Sequence, residues 1–94
     1  MPTITGGHHI ALTVRDADRS AAWYCELLGM QVVFQGDEPS VRFRVLAHPD
    51  SGWLLGVRQY HGHEDAAFDE LRTGLDHFAF GVNSLAELQP GRKG

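Results

Sequence analysis

Hydrophobic and polar side chains alternate along two stretches of the chain, residues 8–14 and 41–48. This spacing is typical of a β-strand that buries one face, because successive side chains point to opposite faces of a sheet. Two further apolar stretches, residues 30–35 and 52–59, are also predicted to be strands. Between the first two strands, apolar residues recur at helical spacing over residues 18–28, which predicts an amphipathic helix.

Capping and turn residues separate these elements. Asp16 or Asp18 can cap the start of the helix, and Gly29 stands where the end of a helix favours a left-handed residue. The stretches 36–40 and 48–52 each contain glycine and proline and predict turns. The elements therefore follow in the order βαβββ, which predicts an α+β fold.

A second, shorter copy of the opening pattern follows a polar connector. The stretch HFAFGV from His77 matches HIALTV from His9, 68 positions earlier (77 minus 9), which indicates an internal repeat and predicts a strand over residues 75–82. We expect a single domain over residues 1–94 with four parts. They are a complete βαβββ module at 7–59, a connector at 60–73, a partial second module at 74–89 and a tail at 90–94.

Composition and charge narrow the range of partners. A chain of 94 residues that is 43% hydrophobic is predicted to be one small globular domain. The formal net charge of −4 argues against nucleic acid, whose phosphates require a clustered basic surface. No apolar run reaches the roughly 20 residues of a membrane span, so we expect no membrane partner. Cys25 is the only cysteine, so no intrachain disulfide can form and a cytoplasmic protein is expected.

The six histidines prompt a search for metal or acid–base chemistry. His9 and His77 each share a strand face with two small residues, which leaves space in front of the imidazole. If the two strands lie side by side, both imidazoles project into one hollow. Pairs of neutral imidazoles commonly contribute to a Zn, Fe, Mn, Ni or Co site. The alternative is that each histidine only makes local hydrogen bonds at its strand.

Three features together resemble the vicinal oxygen chelate superfamily: the βαβββ order, the two His-x-x-x-x-Val strand openings and the segment WYCELLGMQVVF. This superfamily includes glyoxalases, fosfomycin- and bleomycin-resistance proteins and extradiol dioxygenases. The resemblance extends over about residues 7–88, with Trp23-Tyr24 and Leu28-Gly29 at the passage from the helix to the next strand. It implies an open, curved sheet built from two βαβββ modules around a divalent metal.

The resemblance also implies the metal ligands. They are a histidine from the first strand of each module and a glutamate from the last strand of one or both modules. This selects His9, rather than its neighbour His8, together with His77. Gly56 occupies the glutamate position of the first module, and the sequence ends before the strand that would carry the second glutamate. Three expectations stay open: a carboxylate from another chain, a shortened protein, or no bound metal.

Four residues are candidate substrate contacts: Arg42, Arg44, Trp53 and Arg58. Arg42 and Arg44 point to one side of their strand, which is either the concave side, where they would hold an anion, or a solvated edge. Arg58 shares a face with Gly56 and has the same two interpretations. Trp53 either lines the cavity or caps the sheet.

The resemblance implies a protein that acts on a small molecule with vicinal oxygens, as a metal-dependent lyase, isomerase or dioxygenase. Two alternatives stay open: a metal-free drug-binding protein of the bleomycin-resistance type, and an inactive shortened homologue. A homodimer is expected, because the strand over 75–82 would otherwise leave open edges and two exposed phenylalanines.

Overall fold

The structure, a computed structural model, describes residues 2–67, 69, 71–75 and 78–81. These residues form five elements: β1 (His9–Thr13), α1 (Ala17–Leu28), β2 (Gln31–Asp37), β3 (Val41–Ala47) and β4 (Leu54–Tyr60). The predicted α+β fold and the βαβββ order are confirmed. The ends of most elements differ from the predicted ones by one or two residues.

The end of β2 lies inside the stretch predicted as a turn. Gly36 and Asp37 pair with Phe43 and Arg42 in the antiparallel ladder, and Asp37 accepts a hydrogen bond from Arg42 Nε at 3.1 Å. These cross-strand contacts outweigh the local turn preference of a Gly-Asp pair. The turn between β2 and β3 is therefore confined to residues 38–40.

The four strands form one sheet in the order β1-β4-β3-β2. β1 runs parallel to β4, which is allowed because α1 forms part of a long connection between them, and the other neighbours are antiparallel. α1 packs against β2, β3 and β4 and covers one face of the sheet. The opposite face, called the open face below, carries the side chains that point away from α1.

The core lies between α1 and the sheet. Its buried members are Ala17, Ala21, Met30, Leu46, Leu55 and Val57. The apolar side of β1 and the predicted stripe of the helix pack against them, through Ile10, Leu12, Val14, Tyr24, Cys25 and Leu28. The alternation along β1 therefore predicted its buried face correctly, and His9 and Ala11 lie on the open face.

Both ends of α1 are capped. Asp16 is the N-cap, and its carboxylate accepts the Arg19 backbone N–H at 3.0 Å. Gly29 ends the helix at a φ of 67° and donates its N–H to the Cys25 carbonyl at 3.1 Å, a conformation in which a β-carbon is strained. At 12 residues α1 is too short to cross a bilayer, and no other helix in the described part of the chain qualifies.

Residues 75–82 do not form the predicted strand in the part that the structure describes. Leu75 and residues 78–81 have no strand pairing, and a strand needs a hydrogen-bonded neighbour. Phe78 and Phe80 instead pack edge to face with ring centroids 5.1 Å apart, and the Phe78 centroid lies 6.2 Å from that of Trp53. His77 and residues 82–94 lie outside the described residues.

Glu64 ties the connector back to the βαβββ module. Its carboxylate accepts hydrogen bonds from the Gly62 backbone N–H at 2.7 Å and from Gln59 Nε2 at 3.2 Å. Gln59 in turn accepts the Ala17 backbone N–H at 2.9 Å, which links Glu64 to the first turn of α1. Glu64's own backbone N–H contributes most to lowering its carboxyl pKa to about 2, and the other donors add to it.

We expect Glu64→Gln to remove a pH-dependent part of the free energy of unfolding. Because the pKa falls from 4.5 to about 2 on folding, the ionised carboxylate stabilises the fold above pH 4.5 and this contribution is lost as the pH falls toward 2. Urea midpoints of wild type and variant should therefore differ at neutral pH and converge in acid. Glu38→Gln, in the β2–β3 turn, is the matched control, and a constant difference at every pH would contradict the expectation.

Candidate functional site

The open face carries a hollow of about 280 Å³ over β1, β3 and β4. Its lining residues are His8, His9, Ala11, Phe43, Arg44, Val45, Leu54, Gly56 and Arg58. Ala11 and Gly56 pair at its centre, and a β-carbon on Gly56 would lie 3.4 Å from the Ala11 Cβ. The hollow thus has small residues at its centre. The imidazoles of His8 and His9 lie at one end of it, and the guanidinium of Arg58 lies at the other.

Arg58 is held in place by two aromatic rings. Its guanidinium carbon lies 5.2 Å from the centre of the Phe43 ring and 5.6 Å from that of Tyr60. Its Nε donates a hydrogen bond to the Tyr60 hydroxyl at 2.9 Å. Among the described residues, no carboxylate forms an ion pair with Arg58. The guanidinium is therefore fixed in orientation, with its terminal N–H groups left to bind an anion.

His9 and its neighbour His8 form a hydrogen-bonded pair at the other end of the hollow. Their Nδ1 atoms lie 2.7 Å apart, and the two rings meet edge to face with centroids 5.0 Å apart. One nitrogen must donate and the other must accept, so a neutral pair presents one Nε2 acceptor and one Nε2 donor. The family resemblance selects His9 rather than His8, whereas the structure places His8 in contact with His9 at the hollow.

The described residues of the hollow do not by themselves make a metal site. His8 and His9 are their only imidazoles, and Asp, Glu and Cys are absent from them. No group of three or more His, Cys, Asp or Glu side chains lies close enough to hold a metal ion anywhere in the described residues. His77, the second predicted ligand, falls outside them, so the predicted pair of His9 and His77 stays a prediction.

Arg42 and Arg44 lie on the helix side of β3, where Arg42 keeps 39% of its side chain exposed. Arg44 is buried, and its Nε donates to Asp18 in the first turn of α1 at 2.9 Å. Asp37 accepts from Arg44 Nη1 and from Arg42 Nε, each at 3.1 Å. The hydrogen bond from Arg44 contributes most to holding the pKa of Asp37 below its usual value. Although Arg44 borders the hollow, its guanidinium therefore points to the opposite face, and its substrate role stays a prediction.

Trp53 lines a different cavity from the hollow on the open face, and its contact with a substrate stays a prediction. Its side chain points to the helix side of the sheet, where it contacts Phe78. A β-carbon on Gly7 would overlap the Trp53 ring, so the chain before β1 passes directly over the indole. Trp53 and Arg58 therefore belong to different surfaces of the molecule.

Sequence reasoning missed the aromatic partners of Arg58. Tyr60 lies two residues after Arg58 on the same strand and therefore on the same face, a spacing that is visible in the sequence. Phe43 is opposite Arg58 in the β3–β4 register, and this contact depends on a pairing that the sequence does not specify. The cation–π contact with Phe43 follows from that register.

A helix on one face of a β1-β4-β3-β2 sheet, with a hollow on the other, defines the class of proteins built on a βαβββ module. Residues 6–90 match the family model described as the Glyoxalase/Bleomycin resistance protein/Dioxygenase superfamily. The chain belongs to this superfamily, and the resemblance seen in its sequence is confirmed. A comparison with curated proteins finds no match.

Three solved structures resemble this chain, and each is matched over only part of its own length. A glyoxylase/bleomycin resistance protein/dioxygenase domain from Frankia sp. EAN1pec is 35% identical, with a TM-score of 0.81 over 94% of this chain and 68% of its own. Glyoxalase I of Leishmania major is 30% identical, with a TM-score of 0.65 over 86% and 59%. Methylmalonyl-CoA epimerase of Mycobacterium tuberculosis is 27% identical, with a TM-score of 0.55 over 64% and 41%. The chain thus spans 41% to 68% of these three proteins.

Proposed function

We propose that the protein binds a small, anionic molecule with vicinal oxygens on the open face of its sheet. The observation that carries this proposal is the guanidinium of Arg58, which two aromatic rings and the Tyr60 hydroxyl hold at the hollow. A guanidinium binds a carboxylate or a similar planar anion through two parallel hydrogen bonds. The negative net charge of the chain does not oppose such a local site, because binding depends on the nearby groups.

The dimensions of the hollow fit a compact ligand. In the parallel register His9 is opposite Leu54, and Arg58 follows four residues later on β4. At about 3.3 Å per residue, the two backbones lie roughly 13 Å apart along the strands, and both side chains border the space between them. A ligand resting on Ala11 and Gly56 would present its anionic group to Arg58 and its other oxygens toward the His8–His9 pair.

Two probes with the same ring test this proposal. Mandelate carries a carboxylate next to a hydroxyl, and phenylethylene glycol carries the same vicinal oxygens without a charge. Because a ligand that binds the folded state raises the melting temperature, mandelate should raise it in a saturable manner and the glycol should do so much less. An equal response to both probes, or no response to either, would contradict the proposal.

The proposal includes the predicted homodimer. In the described residues β1 pairs only with β4, so one backbone edge of β1 is free beside the hollow. Phe34 and Tyr60, which belong to the same face, keep 63% and 37% of their surface exposed. A second copy that covers this face would enclose the ligand and remove the apolar side chains from water.

A metal-dependent lyase, isomerase or dioxygenase activity is the second candidate function. His9 favours it, because this residue lies at the hollow in the position where the resemblance places a metal ligand. When bound, a divalent metal would polarise the vicinal oxygens of a substrate as a Lewis acid. The missing carboxylate at Gly56 and the Arg58 cation favour the anion-binding function instead.

Restoring a carboxylate at position 56 tests the metal candidate. A β-carbon on Gly56 would make only ordinary van der Waals contacts, the nearest at 3.4 Å from Ala11 Cβ, so Gly56→Glu should place a carboxylate on the same face as His9. If His9 and His77 are ligands, we expect Co²⁺ to bind at least tenfold more tightly to Gly56→Glu than to the neutral control Gly56→Gln, measured by equilibrium dialysis. Adding His9→Ala should erase the gain. Equal Co²⁺ binding by the two variants would reject these metal ligands.

A further inference from the structure

A second cavity, of about 510 Å³, lies on the helix side of the sheet. Three segments enclose it: the last turn of α1 with Met30, the β3–β4 turn, and residues 78–81. Leu27, Leu28, Trp53, Phe78 and Phe80 form most of its apolar wall. Its volume is in the range of sites that bind small organic molecules. Its lining residues and those of the hollow on the open face are entirely different.

The β3–β4 turn gives this cavity one rigid polar wall. His48 donates its backbone N–H to the Trp53 carbonyl and accepts the Gly52 N–H at its own carbonyl, both at 2.9 Å. The Ser51 hydroxyl contacts His48 Nδ1 at 2.8 Å and accepts the Trp53 backbone N–H at 3.3 Å. These contacts fix the positions of the His48 ring and the Ser51 side chain before any ligand arrives.

The same contacts determine which hydrogen-bonding group His48 presents. The Ser51 backbone N–H reaches His48 Nδ1 at 3.2 Å, and only an unprotonated nitrogen can accept it. The hydrogen of the neutral imidazole is therefore on Nε2. Nδ1 is occupied within the turn, which leaves Nε2–H as the hydrogen-bond donor that His48 offers to a ligand.

The electrostatic character of this cavity is opposite to that of the hollow. Among the described residues that line it, none is Lys, Arg, Asp or Glu. The C-terminal end of α1, at Leu27 and Leu28, carries the negative end of the helix dipole, and its last turn contains no basic residue. An anion would therefore be disfavoured here, whereas a neutral aromatic molecule would pack against Trp53 and the phenylalanines.

We propose that this cavity is a second binding site, specific for an uncharged aromatic molecule that carries a carbonyl oxygen. The rings of Trp53, Phe78 and Phe80 bind the aromatic part, and His48 Nε2–H donates a hydrogen bond to the carbonyl. This site is independent of the proposed anion site on the open face, because the two share no lining residue.

The test compares two naphthalene derivatives that differ in charge. Methyl β-naphthyl ketone should shift the indole N–H resonance of Trp53 in a saturable manner, whereas that of Trp23, which does not line the cavity, should stay in place. Trp23→Phe assigns the two resonances. β-Naphthoate, with the same rings and a carboxylate, should bind at least tenfold more weakly. Equal binding of ketone and naphthoate, or no saturable shift of Trp53, would overturn the proposal.

Three variants locate the site. In His48→Asn, the amide oxygen can still accept the Ser51 N–H in place of Nδ1 but the Nε2–H donor is lost, so the ketone should bind about fivefold more weakly. Ala79→Phe introduces a large side chain at a residue that lines the cavity, and it should abolish binding. Arg58→Ala should leave ketone binding unchanged. If Ala79→Phe keeps its melting temperature and still binds the ketone, or if Arg58→Ala weakens the binding, the assigned site is wrong.

Discussion

Arg58→Ala is expected to weaken mandelate binding about thirtyfold. Loss of the guanidinium–carboxylate contact as a whole is expected to cost about 2 kcal/mol, and each 1.4 kcal/mol corresponds to about a tenfold change in affinity. No other cation should compensate because, among the described residues that line the hollow, Arg44 is the only other one and its guanidinium is bound on the helix side. Titration calorimetry with mandelate measures the effect directly.

Two control variants distinguish recognition of the anion from damage to the fold. Arg58→Lys keeps the charge but loses the planar guanidinium that lies against Phe43 and Tyr60, so an intermediate affinity is expected. Arg42→Ala removes a cation from the helix side of the sheet, and it should leave mandelate affinity within about twofold. If Arg42→Ala weakens binding as much as Arg58→Ala, the effect is long-range electrostatics and the anion site on the open face is rejected.

Leu46→Ala is expected to lower the free energy of unfolding by about 2–5 kcal/mol. Leu46 is fully buried on β3 beneath α1, and its truncation leaves a cavity in a core that has few large members. A chain of this size has only a small total stability, so the variant should be partly unfolded at room temperature. Urea unfolding followed by circular dichroism measures the change.

Two control substitutions check that the loss of stability in Leu46→Ala comes from the cavity in the core. Leu46→Met conserves most of the volume and should cost less than about 1.5 kcal/mol. Ile4→Ala removes a side chain that is 86% exposed, and it should be almost neutral. A loss for Leu46→Ala no larger than that for Ile4→Ala would show that the core between α1 and the sheet does not stabilise the fold as described.

The elements near the start of the chain were predictable because their patterns are local. The alternation of Ile10 and Leu12 with His9 and Ala11 reports which face of β1 is buried, and that assignment is confirmed. The cap at Gly29 follows from the conformation that a helix end requires. Both signals depend on neighbouring residues alone, so no knowledge of the tertiary structure was needed.

The orientation of β3 could not be predicted in the same way. Alternation predicts that its apolar face, with Val41, Phe43 and Val45, is the buried one. The face that lies beneath α1 is instead the one with Arg42, Arg44 and Leu46. Arg44 is buried beneath the helix only because Asp18 and Asp37 arrive there from α1 and β2. Periodicity assigns a charged residue to solvent, whereas the partners that allow its burial are distant in sequence.

The candidate site was predictable only in part for the same reason. The small-residue face around His9 and the shared face of Gly56 and Arg58 follow from alternation, and the structure brings these residues to one hollow. The contact of Arg58 with Phe43 depends on the register between β3 and β4. The 510 Å³ cavity at Trp53 depends on residues 78–81 lying near the end of α1, and no local pattern encodes that proximity.

The parallel pairing of β1 with β4 determines when a newly made chain can complete its sheet. β2, β3 and β4 follow one another through short turns and can pair as they emerge from the ribosome, whereas the partner of His9 is Leu54, 45 positions later (54 minus 9). Because β4 lies between β1 and β3, β1 cannot join the sheet before β4 has been synthesised. A chain stalled before residue 54 would therefore expose the apolar side of β1 to chaperones and to aggregation.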